Sequence, residues 1–361
     1  MGYPEEAAEH RQESTITRLT GGLDFSVRGA KRQRRTAPRS LGVKPGAKAR
    51  RGGICKTQLS GIIVVDKPKD ISSARVVADI KRLLDARKVG HAGTLDPFAE
   101  GVLVCCINDA TRLARFLLAG NKTYEATLKL GIETDTQDLT GTVTATHRVG
   151  DWPDGKIKSS IKKFEGCIEQ RPPVFSALKH KGTPLYKLAR MGKPVQKPAR
   201  QVHIGKISIL EIKLPLVRFE VSCSAGTYIR TLCADIGKQL GCGAHLVTLR
   251  RTMSSGFKIQ EAIPLRHLAE RIQEGGHRHL IIRMTDALKN IPVCIADQEL
   301  IKKIRHGKPL KRSDIEIDPA SVKPDDEVDR IKIVNGDNML IAVLNYDKSK
   351  DSISYACVFQ N

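Results

Sequence analysis

Apolar and polar residues alternate along several stretches of the chain with the two-residue period of a half-buried β-strand. The clearest stretch is Lys122–Leu130, in which Tyr124 stands near the start of the apolar side. Other strands are predicted from apolar runs at 61–65, 102–107, 202–212, 216–223 and 245–251. The chain therefore contains a substantial β-sheet.

A second pattern, with apolar residues three and four positions apart, predicts helices between these strands. Ser72 or Ser73 is a suitable N-cap for the first helix, whose apolar residues from Val76 to Leu84 share one face. Another helix follows Gly226-Thr227 and ends at Gly241. Further helices are predicted over 109–120 and 156–164. The fold is therefore mixed α and β.

The first 57 residues lack these patterns. Between Ser26 and Thr57 there are eleven basic residues and no acidic residue, with interspersed glycine and proline. Such a segment buries too little apolar surface to offset its ordering entropy, so 1–57 is predicted to be a disordered basic arm. We expect the arm to add non-specific RNA affinity. An inert solubilising tail, or a nuclear-import signal at Lys31–Arg35, also fits this composition.

Two further segments differ from the rest of the chain. Residues 170–201 contain five prolines and many basic residues, which predicts a long irregular insertion able to act as a flap over nucleic acid. From 286 to 361, short β-type runs alternate with Gly, Asn and Asp turns, which predicts a small β-barrel domain. The main domain is then 58–285.

Composition narrows the function. The 361 residues carry a formal net charge of +22, which favours a polyanionic partner because each phosphate contacted releases a counterion. The nine cysteines form no C-x-x-C pair, so no zinc ribbon is predicted, and their odd number favours a reducing, cytoplasmic compartment. No run approaches the roughly 18 apolar residues of a membrane-spanning helix.

Candidate chemistry concentrates in the loop Lys88–Leu103. It contains three glycines, one proline, His91 and Asp96, and it leads into the predicted strand 102–107. A carboxylate held in the loop just before a buried strand is a common catalytic arrangement, although most Asp-Pro turns have no catalytic role. Other candidates at strand ends and helix starts are Lys67, Tyr124, Tyr228 and Arg230. No phosphate-binding loop, H-E-x-x-H or G-x-S-x-G motif occurs, so no metal site is predicted.

Together these segments resemble the TruB family of tRNA pseudouridine synthases. The resemblance covers roughly residues 58–260 in the family's order, with modest departures at Ala92, Phe98 and Glu100. The matching motifs are Asp66-Lys67-Pro68 with Ser72-Ser73, Gly90-His91-Ala92-Gly93-Thr94-Leu95-Asp96-Pro97 with Gly101-Val102-Leu103, Lys122-Thr123-Tyr124, Thr134-Asp135-Thr136 with Asp138 and Gly141, Arg171-Pro172-Pro173 with Ser176-Ala177-Leu178-Lys179, Gly226-Thr227-Tyr228-Ile229-Arg230, and Leu249-Arg250-Arg251.

The resemblance implies a fold and a set of site residues. The fold is an α+β pseudouridine synthase domain, with a mixed, largely antiparallel central sheet flanked by helices, followed by a PUA-like RNA-binding domain. Asp96 would be the nucleophile, held ionised by an ion pair with Arg230. Tyr124 would stack on the flipped uracil and help to move the C5 proton. Substrate contacts are implied for Lys67, His91, Tyr228 and Leu249, although support of the site fits Lys67 and His91 better, with His91 near the flipped-out RNA. No cofactor is implied.

The resemblance also implies a substrate, namely uridine 55 in the T-loop of tRNA. The Thr134–Gly141 signature and the bacterial-type insertion favour this substrate over that of guide-RNA-dependent relatives. The expected protein is a cytoplasmic monomer without an obligate protein partner, and it also helps tRNA to fold. A purely RNA-binding folding factor, whose site residues are incidental, is the alternative from another class.

The basic arm yields a first prediction. Deletion of residues 1–57 should weaken tRNA binding and flatten its salt dependence, because fewer counterions are released, without changing which uridine reacts. Binding measured by filter retention over a range of salt concentrations tests this. A full-length variant with the eleven basic residues of 26–57 changed to glutamine separates charge from chain length. An unchanged salt slope would make the arm an inert tail.

Overall fold

The computed structural model describes residues 59–275, 278–321 and 329–360. The predicted arm lies outside the described residues and stays a prediction. The longest helix in the described ranges has 12 residues, which is too short to span a membrane.

The main part of the chain alternates strands with short helices. Its strands are β1 (Gly61–Lys67), β2 (Val89–His91), β3 (Glu100–Ile107), β4 (Lys122–Leu130), β5 (Ile132–Thr134), β6 (Val143–Thr146), β7 (Gly166–Gln170), β8 (Lys179–His180), β9 (Thr183–Pro184), β10 (Arg200–Lys213), β11 (Leu216–Cys223), β12 (Ala244–Ser254), β13 (Phe257–Lys258) and β14 (Ile263–Pro264). Its helices are α1 (Ser73–Leu83), α2 (Ala114–Ala119), α3 (Asp154–Lys162), α4 (Leu185–Arg190), α5 (Ile229–Leu240) and α6 (Leu265–Gln273).

One large sheet organises the main domain. Its strands run in the order β14-β1-β3-β12-β4-β11-β10-β7, with β2 paired to β3 and β13 paired to β12. Only the β1–β14 and β12–β3 pairs are parallel among the pairs recorded in this sheet. The expected mixed, largely antiparallel sheet is therefore confirmed.

Helix α5 shows how the sequence pattern produces the packing. Its buried side chains include Ile229, Leu232, Ile236 and Leu240, at the three- and four-residue spacing of one face. That face covers the sheet at β12 and joins the core cluster that holds β4 and β11. Gly241 ends the helix with a left-handed φ of 79°, as predicted. The helix start, which carries Arg230, is thereby fixed against the sheet.

Two sequence predictions are wrong in detail. The helix expected over 109–120 is a 3-10 turn, Asn108–Leu113, followed by the short α2. Asn108 has a positive φ, and its side chain bonds to the backbone of Lys88 and Leu59, so hydrogen bonds to distant segments set this turn. The insertion 170–201 is also not irregular throughout, because it contains the β8–β9 hairpin and α4, anchored by the fully buried Leu185.

The C-terminal residues form a separate sheet, as expected. Helix α7 (Met284–Ala287) leads into β15 (Val293–Ile295), α8 (Gln298–Arg305), β16 (Arg330–Val334), β17 (Leu340–Asp347) and β18 (Ser352–Val358), and the strands pair in the order β15-β16-β17-β18. Helix α8 was not predicted, although Asp297 caps it and its apolar residues face the core.

This C-terminal sheet packs directly on the main domain. The guanidinium groups of Arg112 and Arg115 donate to the carbonyls of Val358 and Ala356 in the last strand. Apolar side chains from both parts, including Phe257 and Phe359, belong to one buried cluster. The two sheets therefore share part of their core.

One glycine has a conformation and surroundings that no other residue type fits. Gly101, at the start of β3, has a φ of 105°, and a Cβ there would lie 2.3 Å from the carbonyl oxygen of Arg251. Its register partner in the parallel β12–β3 pair is the same Arg251. The close approach of these two strands therefore depends on glycine.

A comparison of two glycines tests this dependence. Gly101→Ala should destabilise the protein by about 3 kcal/mol, because strain at positive φ is added to a backbone clash. Gly256→Ala is the matched control, since Gly256 has a φ of 81° but nothing within 4 Å of its Cβ position. It should cost about 1 kcal/mol. Equal losses in denaturant unfolding would contradict the packing argument.

Candidate active site

The loop that carries Asp96 connects β2 to β3 and is held at several points. The Ser73 hydroxyl, at the start of α1, donates to the carbonyl of Leu95 and accepts from its N–H, at 3.0 and 2.9 Å. Arg251 donates to the carbonyl of Gly93 at 3.0 Å and to that of Val102 at 2.7 Å. Since Arg251 is fully buried, these bonds are shielded from water. The loop is therefore preorganised.

Lys67 also holds this loop and does not face the solvent. Its side chain is fully buried, and its amine donates to the carbonyls of Pro68, Ile71 and Pro97. Burial lowers the pKa of the Lys67 amine to about 8. These occupied donors agree with the supporting role that the sequence analysis favours for Lys67, and its contact with the substrate stays a prediction. Its position in the fold is that of a support.

Asp96 and Arg230 form an ion pair, although they are far apart in the sequence. The Nε of Arg230 lies 2.9 Å from Oδ2 of Asp96, outside hydrogen-bonding alignment, and Nη2 donates to Oδ1 at 3.4 Å. The Arg230 side chain is 5% exposed, and that of Asp96 is 35% exposed. The carboxylate therefore faces open space while the guanidinium lies behind it.

Other partners fix the guanidinium. Nη1 of Arg230 donates to the carbonyl of Thr136 at 2.9 Å and lies 3.5 Å from Oδ2 of Asp138. Nη2 also donates to the carbonyl of Phe175 at 2.9 Å. Asp138 is itself buried, and Oδ1 accepts from Thr140 and Thr136. The acidic loop after β5 thus holds Arg230, a role that the sequence analysis did not assign to Asp138.

Burial and the ion pair with Arg230 shift the pKa of Asp96 in opposite directions. Burial raises the pKa of the Asp96 carboxyl above its ordinary value of 3.8, and this outweighs the opposing attraction of Arg230. The Asp138 carboxylate adds to the increase. The arginine therefore orients a carboxylate that is poorly solvated, which raises its reactivity towards an electrophile.

A cavity of about 480 Å³ opens in front of this carboxylate. Its wall brings together five of the residues singled out from the sequence, which are Asp96, Tyr124, Tyr228, Arg230 and Leu249. Its volume is that of a pocket for a small organic group such as a base. Burial raises the pKa of the Tyr124 phenol, so this group is neutral at pH 7. The cavity wall thus combines charged side chains with aromatic and apolar ones.

The wall also contains residues that the sequence analysis did not single out. Lys122, whose amine donates to the carbonyl of Leu118, lines the cavity, and burial lowers its pKa to about 8. Arg251 lines the cavity as well. The only sequence signals for these two residues are their places in the motifs Lys122-Thr123-Tyr124 and Leu249-Arg250-Arg251.

His91, like Lys67, is a predicted site residue that the cavity wall does not include. It ends β2, is half-buried, and has a buried Nδ1 without a hydrogen-bond partner in the described part of the chain. Burial, with the nearby charge of Arg251, lowers the pKa of its imidazole, which favours the neutral form. Its predicted contact with RNA stays a prediction.

Comparisons with known protein sequences identify one family. Residues 81–229 match the model of the TruB family pseudouridylate synthase N-terminal domain, and 230–289 match the tRNA pseudouridylate synthase B C-terminal domain. Two curated relatives are called tRNA pseudouridine synthase B. The protein of Syntrophotalea carbinolica is 43% identical over 70% of this chain and 82% of its own length. That of Geobacter sulfurreducens is 42% identical over 72% and 85%.

Solved structures agree on the fold. A Cbf5 chain from a Cbf5-Nop10-Gar1 complex superposes with a TM-score of 0.65 and is 31% identical, covering 83% of this chain and 85% of its own. A chain from an H/ACA RNP bound to a substrate RNA containing 2'-deoxyuridine gives a TM-score of 0.63 at 29% identity, with the same coverage.

The raised pKa of Asp96 predicts a dependence of stability on pH. With the folded-state pKa above the unfolded value near 3.8, ionised Asp96 destabilises the folded protein at neutral pH. Asp96→Asn should therefore melt at a higher temperature than wild type at pH 7, and the difference should shrink as the pH falls towards 4. Thermal unfolding across this pH range measures it.

A matched variant controls for the loss of charge. Asp151 is exposed, so Asp151→Asn removes the same charge from the surface and not from the cavity wall, and its effect should not follow this pH pattern. A lower melting temperature of Asp96→Asn at pH 7 would show that the attraction of Arg230 outweighs burial.

Proposed function

The chain belongs to the TruB family of pseudouridylate synthases, and on this premise we propose that it isomerises uridine 55 in the T-loop of tRNA to pseudouridine. The observation that carries the proposal is the Asp96–Arg230 ion pair at the base of a cavity that Tyr124 also lines. A positioned, poorly solvated carboxylate beside a base-sized pocket supplies the nucleophile that this reaction needs.

The reaction rearranges one nucleotide without an external donor. The bond between C1' of the ribose and N1 of uracil breaks, the base turns in the pocket, and a bond forms between C1' and C5. One proton leaves C5 and another is taken up at N1, so atoms and charge balance. Asp96 acts as the nucleophile, and Arg230 orients it and neutralises its charge in the pocket. No cofactor is needed.

The other wall residues bind the base. Tyr124 stacks on the flipped uracil, and its neutral phenol is suited to help to move the C5 proton. Tyr228 and Leu249 form the remaining apolar walls. Lys67 supports the Asp96 loop through its bond to the carbonyl of Pro97. His91 lies on the RNA side of the same loop, next to the nucleotide that leaves the stack.

Charge and relatives support tRNA as the substrate. The net charge of +22 suits a phosphate-rich partner, and the two curated relatives at 42–43% identity are both called tRNA pseudouridine synthase B. The chains from the Cbf5 and H/ACA RNP complexes, which contain other components, are more distant at 28–31% identity. A guide-RNA-dependent enzyme of the same family is therefore the second candidate.

The two parts of the described chain have different roles in this proposal. Residues 58–285 form the catalytic domain, and 286–361 form a PUA-like domain that contacts RNA away from the reacting uridine. The protein acts as a cytoplasmic monomer without an obligate protein partner, and binding of the T-arm also helps tRNA to fold.

An assay on one tRNA transcript tests the proposal. Purified protein alone should convert a single T-loop uridine in an unmodified transcript, as measured by release of tritium from C5-labelled uridine. Asp96→Asn should abolish conversion, a loss of at least about 1000-fold, while tRNA binding stays within about 3-fold. Asp151→Asn is the matched control and should convert at the wild-type rate.

Each alternative makes a different forecast for the same assay. Full activity of Asp96→Asn would contradict the assignment of the nucleophile. Wild-type protein that binds the transcript without converting it would be an RNA-binding folding factor. Conversion that requires added guide RNA and partner proteins would identify the guide-dependent enzyme.

A further inference from the structure

The insertion 171–199 leaves the large sheet and returns to it at two adjacent residues. Gln170 is the last residue of β7 and Arg200 the first of β10, and the two are register partners in the antiparallel β7–β10 pair. The two residues therefore form a neck through which this basic segment joins the sheet. Both neck residues make contacts with Tyr228.

Gln170 holds the main chain of Tyr228 from both sides. Its Oε1 accepts from the N–H of Tyr228 at 2.7 Å, and its Nε2 donates to the carbonyl of Tyr228 at 3.0 Å. The Gln170 side chain is 1% exposed, so water does not compete for these bonds. Tyr228 is the N-cap of α5, and no side chain caps that helix start in the usual way. The glutamine amide thus fixes the residue from which α5 begins.

The other contacts of the segment converge on the same stretch. Arg200 donates to the carbonyl of Gly226, and its guanidinium lies 5.2 Å from the centroid of the Tyr228 ring. The carbonyl of Phe175 accepts from Arg230 at 2.9 Å. Both ends of the basic segment therefore hold the short stretch 226–230, which supplies one wall of the cavity and the partner of Asp96.

We propose that Gln170 is a positioning residue for pseudouridine formation. It touches neither the substrate nor Asp96, and it acts by fixing Tyr228 and, two residues later, Arg230 at the start of α5. The proposal rests on the proposed function, because it concerns the reaction at the same cavity. Gln170 is also the residue from which the basic segment leaves the sheet. The point where this segment joins the sheet therefore helps to position the reacting groups.

Two substitutions distinguish the effect of the two hydrogen bonds from the effect of the space that the Gln170 side chain fills. Gln170→Met keeps the length of the side chain and removes both bonds. Single-turnover conversion of the tRNA transcript should slow by about 10- to 100-fold, because a displaced Tyr228 and Arg230 misorient the reacting groups. The binding constant for tRNA should stay within about 3-fold of wild type.

Gln170→Glu adds a pH signature that loss of structure would not produce. Only a protonated glutamic acid can donate to the Tyr228 carbonyl while accepting from its N–H, so the variant regains both bonds as the pH falls. Its rate relative to wild type at the same pH should rise between pH 8 and pH 5.5. The relative rate of Gln170→Met should not change over this range.

Gln201→Met is the matched control, because Gln201 is the exposed neighbour of Arg200 on β10 and should convert at the wild-type rate. Wild-type rates for Gln170→Met would overturn the inference. A reduced reaction amplitude at an unchanged rate constant would do so too, because it indicates a misfolded fraction. If wild-type protein converts no uridine, the proposed function is wrong. The inference about Gln170 is tested only by comparing variants with an active wild-type protein, so the two failures are distinguishable.

Discussion

The structure depends on the burial of one positive charge. A guanidinium removed from water is tolerated only where oppositely charged or carbonyl groups surround it, and Arg230 finds such groups in segments that are remote in sequence. Asp96 comes from the loop before β3, Thr136 and Asp138 from the loop after β5, and Phe175 from the basic insertion. Satisfying this single side chain draws these loops to the same end of α5. The cavity is the space that remains between them.

The sequence predicts what is encoded locally. The alternation over Lys122–Leu130 gives β4 with its observed bounds, and the spacing of apolar residues gives the buried face of α5. Asp96 could be singled out because its loop combines glycines, a proline and a carboxylate beside a buried strand. The family resemblance, rather than any periodicity, linked it to Arg230.

What the sequence misses depends on tertiary contacts. Gln170 and Asp138 are ordinary polar residues until the fold brings Tyr228 and Arg230 to them. The sequence places Lys67 at a strand end, yet which carbonyls its amine meets depends on the packing of the Asp96 loop. The sign of the pKa change at Asp96 depends in the same way on burial, which no local pattern measures.

The docking of the C-terminal sheet has a consequence for how the protein folds and can be divided. Val343 and Phe359 of that sheet lie in one apolar cluster with Ile62, Val64 and Phe257 of the large sheet. A chain cut near residue 286 would leave those side chains of the large sheet in contact with water, at about 25 cal/mol for each Å² newly exposed. The two sheets are thus separate in strand pairing, but because they share an apolar cluster we expect them to unfold together. We therefore expect truncation at this point to destabilise the remaining large sheet.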